Sequence, residues 1–189
     1  MRTLFTGFAS RLRRFARADR AIAATEFALL VPFMLTLYMG SIELSTVVTV
    51  DRKVSVVASS LGDLVAREKN GTFVLSSLND YFVAAQSTMS PYPTDALKQV
   101  VTNVWINSLG VPKVQWSRGH GGATAHTVNA DYPLPEELLG IVSNGDCVVV
   151  AEAQISYTPL MGYFFKDAFT LYQEFFFLPR HEECLNNPS

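Results

Sequence analysis

From Phe27 to Ile42 the chain is almost wholly apolar, and no basic residue occurs between Arg20 and Arg52. A run of that length and composition predicts a helix able to cross the hydrocarbon core of a bilayer. After Gly40 the apolar pattern continues and narrows to a stripe. Glu43, Val47, Val50, Val54, Val57, Leu61 and Leu64 follow at alternating spacings of four and three, while Asp51, Arg52, Lys53, Ser55, Ser59, Ser60, Asp63 and Arg67 take the other faces. The spanning helix therefore runs on as an amphipathic one and is expected to stop near Asn70-Gly71, where glycine supplies the usual end. From Ile22 to Lys69 it measures about 70 Å at 1.5 Å per residue, more than twice a hydrocarbon core. Its many valines are weak helix formers, so the stripe needs a surface to pack on. The chain's own C-terminal half is the favoured surface, and a coiled-coil partner is the alternative.

Past residue 71 the periods shorten. "LSSLNDYFVAAQSTM" (75–89) predicts a helix with Leu75, Leu78, Tyr81, Phe82 and Ala85 on one side, broken by "SPYPTD". "QVVTNVWIN" (99–107) and "KVQWSRG" (113–119) read as a β-hairpin joined through "SLGVP". Residues 119–135 are loop-like, and "PEELLGIV" (135–142) predicts a short helix opened by Pro135. Two stronger strands follow, "DCVVVAEAQISYTPL" (146–160) and "AFTLYQEFFFLPR" (168–180). The expected fold is α+β: a long N-terminal membrane-spanning helix continuing into a small antiparallel sheet domain, divided as 1–21, 22–70 and 71–189.

Composition adds a core and an orientation. With 189 residues, 49% of them hydrophobic, the chain has the length of one domain and ample apolar material, so disorder is not the default. The net charge of -2 hides an asymmetry. Six of the 15 basic residues (Arg2, Arg11, Arg13, Arg14, Arg17, Arg20) precede Ile22 beside the single acid Asp19, which leaves nine bases against 16 acids in the remainder. Such an acidic remainder is a poor match for nucleic acid, which needs a basic surface. Arginines directly before an apolar run mark the cytoplasmic side, so the N-terminus lies inside. A cleaved secretory signal is the rival reading. The apolar segment is longer than such a signal needs, however, and no small-x-small site with a polar mature start follows it.

The run carries a carboxylate near each end, Glu26 and Glu43. An acid in the apolar part of a bilayer costs roughly 2.5–3.5 kcal/mol on insertion scales, so it calls for a partner, and the run holds no Lys or Arg. Cutting between Ala21 and Ile22 creates one. The new α-amine at Ile22 lies four residues before Glu26, one turn away on the same helix face. Pro32 removes one backbone hydrogen bond, to the Ala28 carbonyl, and allows a local bend. Glu43 is expected close enough to the outer interface to reach water, either as an interfacial residue or at a partner helix.

The segment Arg20-Ala21-Ile22-Ala23-Ala24-Thr25-Glu26-Phe27 resembles a class III prepilin peptidase site, with Glu as the fifth mature residue. The run "ATEFALLVPFMLTLYMGSIEL" (24–44) resembles the N-terminal signature of TadE-like pseudopilins of tight-adherence (Tad/Flp) pilus systems. The shared features are the Glu26-Phe27 pair, Pro32, and Gly40 with Glu43. The tail, "ISYTPLMGYFF" and a strand ending in "LPR", is similar too, whereas residues 71–145 are not diagnostic. Ala21 departs from the pattern, because glycine is usual before the cut. The resemblance implies a minor pilin-like protein of a type IV pilus, held single-pass in the bacterial inner membrane with its C-terminal domain periplasmic. It further implies trimming by a prepilin peptidase and partners among other pilin-like subunits and Tad inner-membrane assembly proteins. A part in adhesion and biofilm formation follows from the same resemblance. Glu26 would then fix axial register, since a wrong register leaves charges unpaired.

Catalytic motifs are absent from the sequence. Cys147 and Cys184 both fall in the half expected outside the cytoplasm, one opening a strand and the other following the next, so a disulfide is expected. Metal binding is not, because there is no C-x-x-C and His120, His126 and His181 are scattered. A cysteine nucleophile paired with His181 has no local signature. Gly119-His120-Gly121-Gly122 lacks the Gly-x-Ser-x-Gly elbow that an oxyanion loop accompanies, and reads as a hairpin exit. Asp131, Glu136 and Glu137 are expected near a helix start for dipole reasons alone. No phosphate loop, dinucleotide fingerprint or zinc-protease motif occurs, so no cofactor is expected. The rival to an assembly subunit is an anchored periplasmic hydrolase or ligand-binding domain.

Overall fold

The computed structural model describes residues 19–70, 73–159, 167–181 and 184–188. The basic leader up to residue 18, the expected stop at Gly71 and residues 160–165 of the tail motif lie outside the described residues. Helix α1 (Asp19–Ala66) is followed by α2 (Leu75–Ser87), β1 (Leu97–Ile106), β2 (Pro112–His120), α3 (Glu136–Leu139), β3 (Cys147–Tyr157) and β4 (Phe169–Phe177). Contacts divide the chain into two compact units, Met1–Ser45 and Thr46–Ser189, with α1 running through the boundary. The architecture is α+β: a long apolar N-terminal helix followed by a small antiparallel four-stranded sheet.

In the first unit α1 is exposed almost throughout. Phe27, Leu29, Leu30, Phe33, Met34, Leu37 and Tyr38 are all more than half exposed, so the helix is apolar around its whole circumference. By length and composition it can cross a membrane. It continues without a break through Pro32, and the Thr36 hydroxyl donates to the Pro32 carbonyl at 2.8 Å.

In the second unit the sheet order is β2-β1-β3-β4, antiparallel throughout. One face meets the C-terminal part of α1 through Val50, Val54, Val57, Ala58, Leu61 and Val65, together with Leu78, Phe82 and Ala85 of α2. Each fully buried Val or Leu contributes about 1.5–3 kcal/mol, which offsets the weak helix propensity of valine. The stripe thus packs on the chain's own sheet. It ends on Val65 where a strict 4/3 alternation points to Leu64, because an unsupercoiled helix turns every 3.6 residues and drifts off a 3.5 repeat. Gly62 allows the closest approach: a Cβ there would lie 2.3 Å from Cε2 of Phe177.

The other face of the sheet carries Val104, Ile106, Val114, Val148 and Val150 and is covered by Tyr132, Leu134, Leu138 and Val142. With both faces covered, β3 is buried at nearly every position, which explains its continuous "CVVVA" run. Along β2, Val114 and Trp116 should share a face by their spacing. They do not, because the register with β1 shifts between Asn103/Trp116 and Val104/Val114 and leaves Gln115 as a bulge. Trp116 consequently enters the helix-side core and Val114 the opposite one.

Helix α1 stops at Ala66, earlier than the Asn70-Gly71 signal suggests, and Asn70 instead ties down the C-terminal tail. Its side chain donates to the Cys184 carbonyl at 2.7 Å and accepts from the Asn186 N–H at 2.6 Å. Gly121, with φ +66, forms the turn leaving β2, and a Cβ there would fall 2.2 Å from the Leu97 carbonyl oxygen.

Candidate functional site

The N-terminal part of α1 brings Ile22 and Glu26 onto one face, a single turn apart. The Thr25 hydroxyl donates to the Ile22 carbonyl at 2.8 Å, and residues 22–30, Glu26 and Phe27 included, are exposed. Helix α1 already begins at Asp19, so Ala21 and Ile22 are both helical. Glu43 departs from its expected contact with water. It is only 2% exposed, and neither carboxylate oxygen has a hydrogen-bond partner. The expectation followed its depth near the outer interface, whereas its place at the head of the Glu43–Val47–Val50–Val54 stripe puts it on the helix face that is buried. A buried acid without donors is costly.

Cys147, at the head of β3, is bonded to Cys184, with Cα atoms 5.0 Å apart, so neither is available as a nucleophile. The bond belongs to a larger attachment of the C-terminal tail. Leu185 is fully buried, and its carbonyl accepts from the Trp116 indole N–H at 2.7 Å and from the Asn103 side-chain amide at 2.9 Å.

A polar cluster that the sequence reading passed over lies on the sheet face away from α1. Glu152 of β3 and Glu174 of β4 are register partners. The Tyr132 hydroxyl donates to Glu152 at 2.9 Å and to Glu174 at 3.1 Å, the Tyr172 hydroxyl reaches Glu174 at 3.1 Å, and His126 Nε2 lies 2.7 Å from Glu152. Burial pushes both tyrosines well above their usual range, and the neighbouring carboxylate charges push them further. His126 and Tyr132 also meet edge to face. A pocket of about 170 Å³, bordered by Lys98, Thr124, His126, Glu152 and Tyr172, adjoins the cluster. The one sequence signal was a glutamate in the middle of the apolar run "VVVAEAQI".

The cluster contains no activated nucleophile. Among the described residues no group of three or more His, Cys, Asp or Glu is arranged to hold a metal ion. The geometry instead fastens the segment around residues 126–132 to the sheet. Asp131 pairs with Lys113 at 2.5 Å, while Glu136 and Glu137 sit in the first turn of α3, so these three acids form no shared site. His120 stacks on Phe82 with centroids 5.0 Å apart, and His181 is exposed.

Residues 21–60 match the family model of TadE-like proteins. The match takes in Glu26, Phe27, Pro32, Gly40 and Glu43 and the first part of the buried stripe, and it ends before the sheet. No curated protein and no solved structure matches the chain.

Proposed function

We propose that the chain is a minor pilin-like subunit of a tight-adherence pilus system, with a structural and not an enzymatic role. One observation carries the reading: the TadE-like match falls on a helix, apolar all round, in which Glu26 lies one turn from Ile22. In this reading α1 anchors the protein single-pass in the bacterial inner membrane. The arginine-rich leader 1–21 is cytoplasmic, 22–70 forms the span and its extension, and 71–189 is periplasmic. The charge asymmetry around the span supports that orientation.

A prepilin peptidase cuts between Ala21 and Ile22 and exposes an α-amine. Glu26 pairs with that amine, its own or a neighbouring subunit's. In a low-dielectric surrounding a mismatched register strands an acid and an amine, and this penalty sets the axial position of the subunit. Alanine before the cut is the nearest in size to the usual glycine. The partners are the peptidase, other pilin-like subunits and the Tad inner-membrane assembly proteins. Nucleic acid is not among them.

The test is a replacement series at Glu26. Glu26→Gln and Glu26→Ala should abolish or strongly reduce fibre assembly while membrane insertion stays intact, and Glu26→Asp should retain part of it. Normal piliation in Glu26→Ala removes the pairing mechanism.

A further inference from the structure

The pocket beside the polar cluster has a floor built from three neighbouring strands. Lys98 of β1 pairs in register with Gln154 of β3, and Gln154 with Tyr172 of β4, so the three side chains form one row on the sheet face away from α1. Neighbouring strands lie about 4.8 Å apart, which makes the row roughly 10 Å across. Thr124 and His126, from the segment that leaves β2, also line the pocket, and Glu152 borders it from the next row of the sheet. Among the described residues no hydrogen bond or ion pair within the protein engages the side chains of Lys98, Thr124 or Gln154. Tyr172 is 46% exposed although Glu174 holds its hydroxyl at 3.1 Å, so an aromatic surface flanks the row.

The charges around this pocket oppose a charged ligand of either sign. An anion drawn to Lys98 would come close to Glu152 and its register partner Glu174. A cation would meet Lys98 and would have to displace His126, which already pairs with Glu152 at 2.7 Å. The walls suit a neutral molecule whose groups both donate and accept, because the Lys98 ammonium donates while the Gln154 amide and the Thr124 hydroxyl do both. The Tyr172 ring adds an apolar platform whose negative face attracts polarised C–H bonds. At about 170 Å³ the space is smaller than the roughly 300–1,000 Å³ of a drug-sized ligand site, so it takes a single ring.

We propose that this pocket binds one neutral sugar ring, with neighbouring hydroxyls on Lys98, Gln154 and Thr124 and a C–H face against Tyr172. A pyranose carries hydroxyls around its rim, each a donor and an acceptor, and C–H bonds on its faces, which is the pattern the row can meet. The contacts of Glu152 with His126 and Tyr132 fix the adjoining wall. All the lining residues belong to the second compact unit, so the site operates whether or not the chain is cut at Ile22.

The probes are the methyl glycosides of glucose, galactose and mannose, titrated into the full chain in dodecylphosphocholine micelles, whose head group carries no sugar. Backbone amide NMR reads the binding. At least one glycoside should shift the amides of Thr124, Gln154 and Tyr172 saturably. Lys98→Met and Tyr172→Ala should each weaken that binding about fivefold or more, whereas Tyr172→Phe, which keeps the ring, should stay within about twofold. Lys98 is exposed, so Lys98→Met should leave the thermal midpoint unchanged and separates lost binding from lost folding. A disaccharide glycoside ending in the best-bound sugar distinguishes two sources: binding at least as tight marks the ligand as the end of a glycan, and weaker binding marks it as a free sugar. No saturable shift with any of the three sugars overturns the proposal, as does undiminished binding in both Lys98→Met and Tyr172→Ala. So does tighter binding of acetate or L-serine at the same amides, which assigns the pocket to a charged solute.

Discussion

Glu152 and Glu174 stand opposite each other across β3 and β4, and the single hydroxyl of Tyr132 donates to both. Like charges directly opposed in a sheet are destabilising, so this shared donor offsets a conflict that the strand register creates. Tyr132→Phe keeps the ring and removes the donor. It should lower unfolding stability by about 1–3 kcal/mol, the usual effect of stripping a hydrogen bond from buried acceptors. Adding Glu174→Gln should return part of that loss, since it removes the repulsion as well. Denaturant melts of the three proteins check both effects, and equal midpoints would deny the bridge any role in stability.

Three tyrosines, in two separate surroundings, set an alkaline limit. Burial, aided by Glu68, pushes Tyr81 up to about 12, and burial with the neighbouring carboxylates pushes Tyr132 and Tyr172 upward too. A tyrosine whose folded pKa is raised ionises first in the unfolded chain. Its contribution is therefore complete below the unfolded value near 10 and is lost as pH climbs through the folded one. Stability should be flat with respect to these groups below about pH 10 and fall from there towards about pH 12. Ultraviolet titration should show Tyr81, Tyr132 and Tyr172 ionising late in the folded protein. Their titration together with the denatured chain's tyrosines would contradict the geometry.

The tail attachment makes a third expectation. The Cys147–Cys184 bond closes a separation of 37 residues, for which the chain-entropy estimate is about 3–4 kcal/mol. Reduction, or Cys184→Ala, should lower the denaturant midpoint by a corresponding amount. Leu185 should remain partly held, because Asn103, Trp116 and Asn70 grip the tail independently of sulfur. A thiol assay that finds two reactive cysteines in the folded protein would contradict the bond.

What the sequence made legible follows from periodicity. The 3.5-residue stripe of α1 and the doubly covered runs of β1 and β3 each encode their own burial, so element types and the α+β class could be read directly. Features that depend on distant partners could not. The bulge at Gln115 is invisible in "KVQWSRG" because it is defined by the register with β1. The capture of Asn70 by a tail more than a hundred residues away is likewise invisible in the local sequence. The His126–Glu152–Tyr132–Glu174 cluster has no local signature because a loop and two strands assemble it, although a glutamate amid the valines of β3 is a usable hint. The burial of Glu43 was legible too, since it heads the stripe that packs, but nearness to the outer interface pointed the other way.

The central claim is that Glu26 sits in the apolar run to meet an amine that only proteolysis creates. Intact-mass measurement of the protein isolated from its native membranes tests this most directly. The mature chain should begin at Ile22; a retained Met1, or a start beyond residue 45, would contradict it.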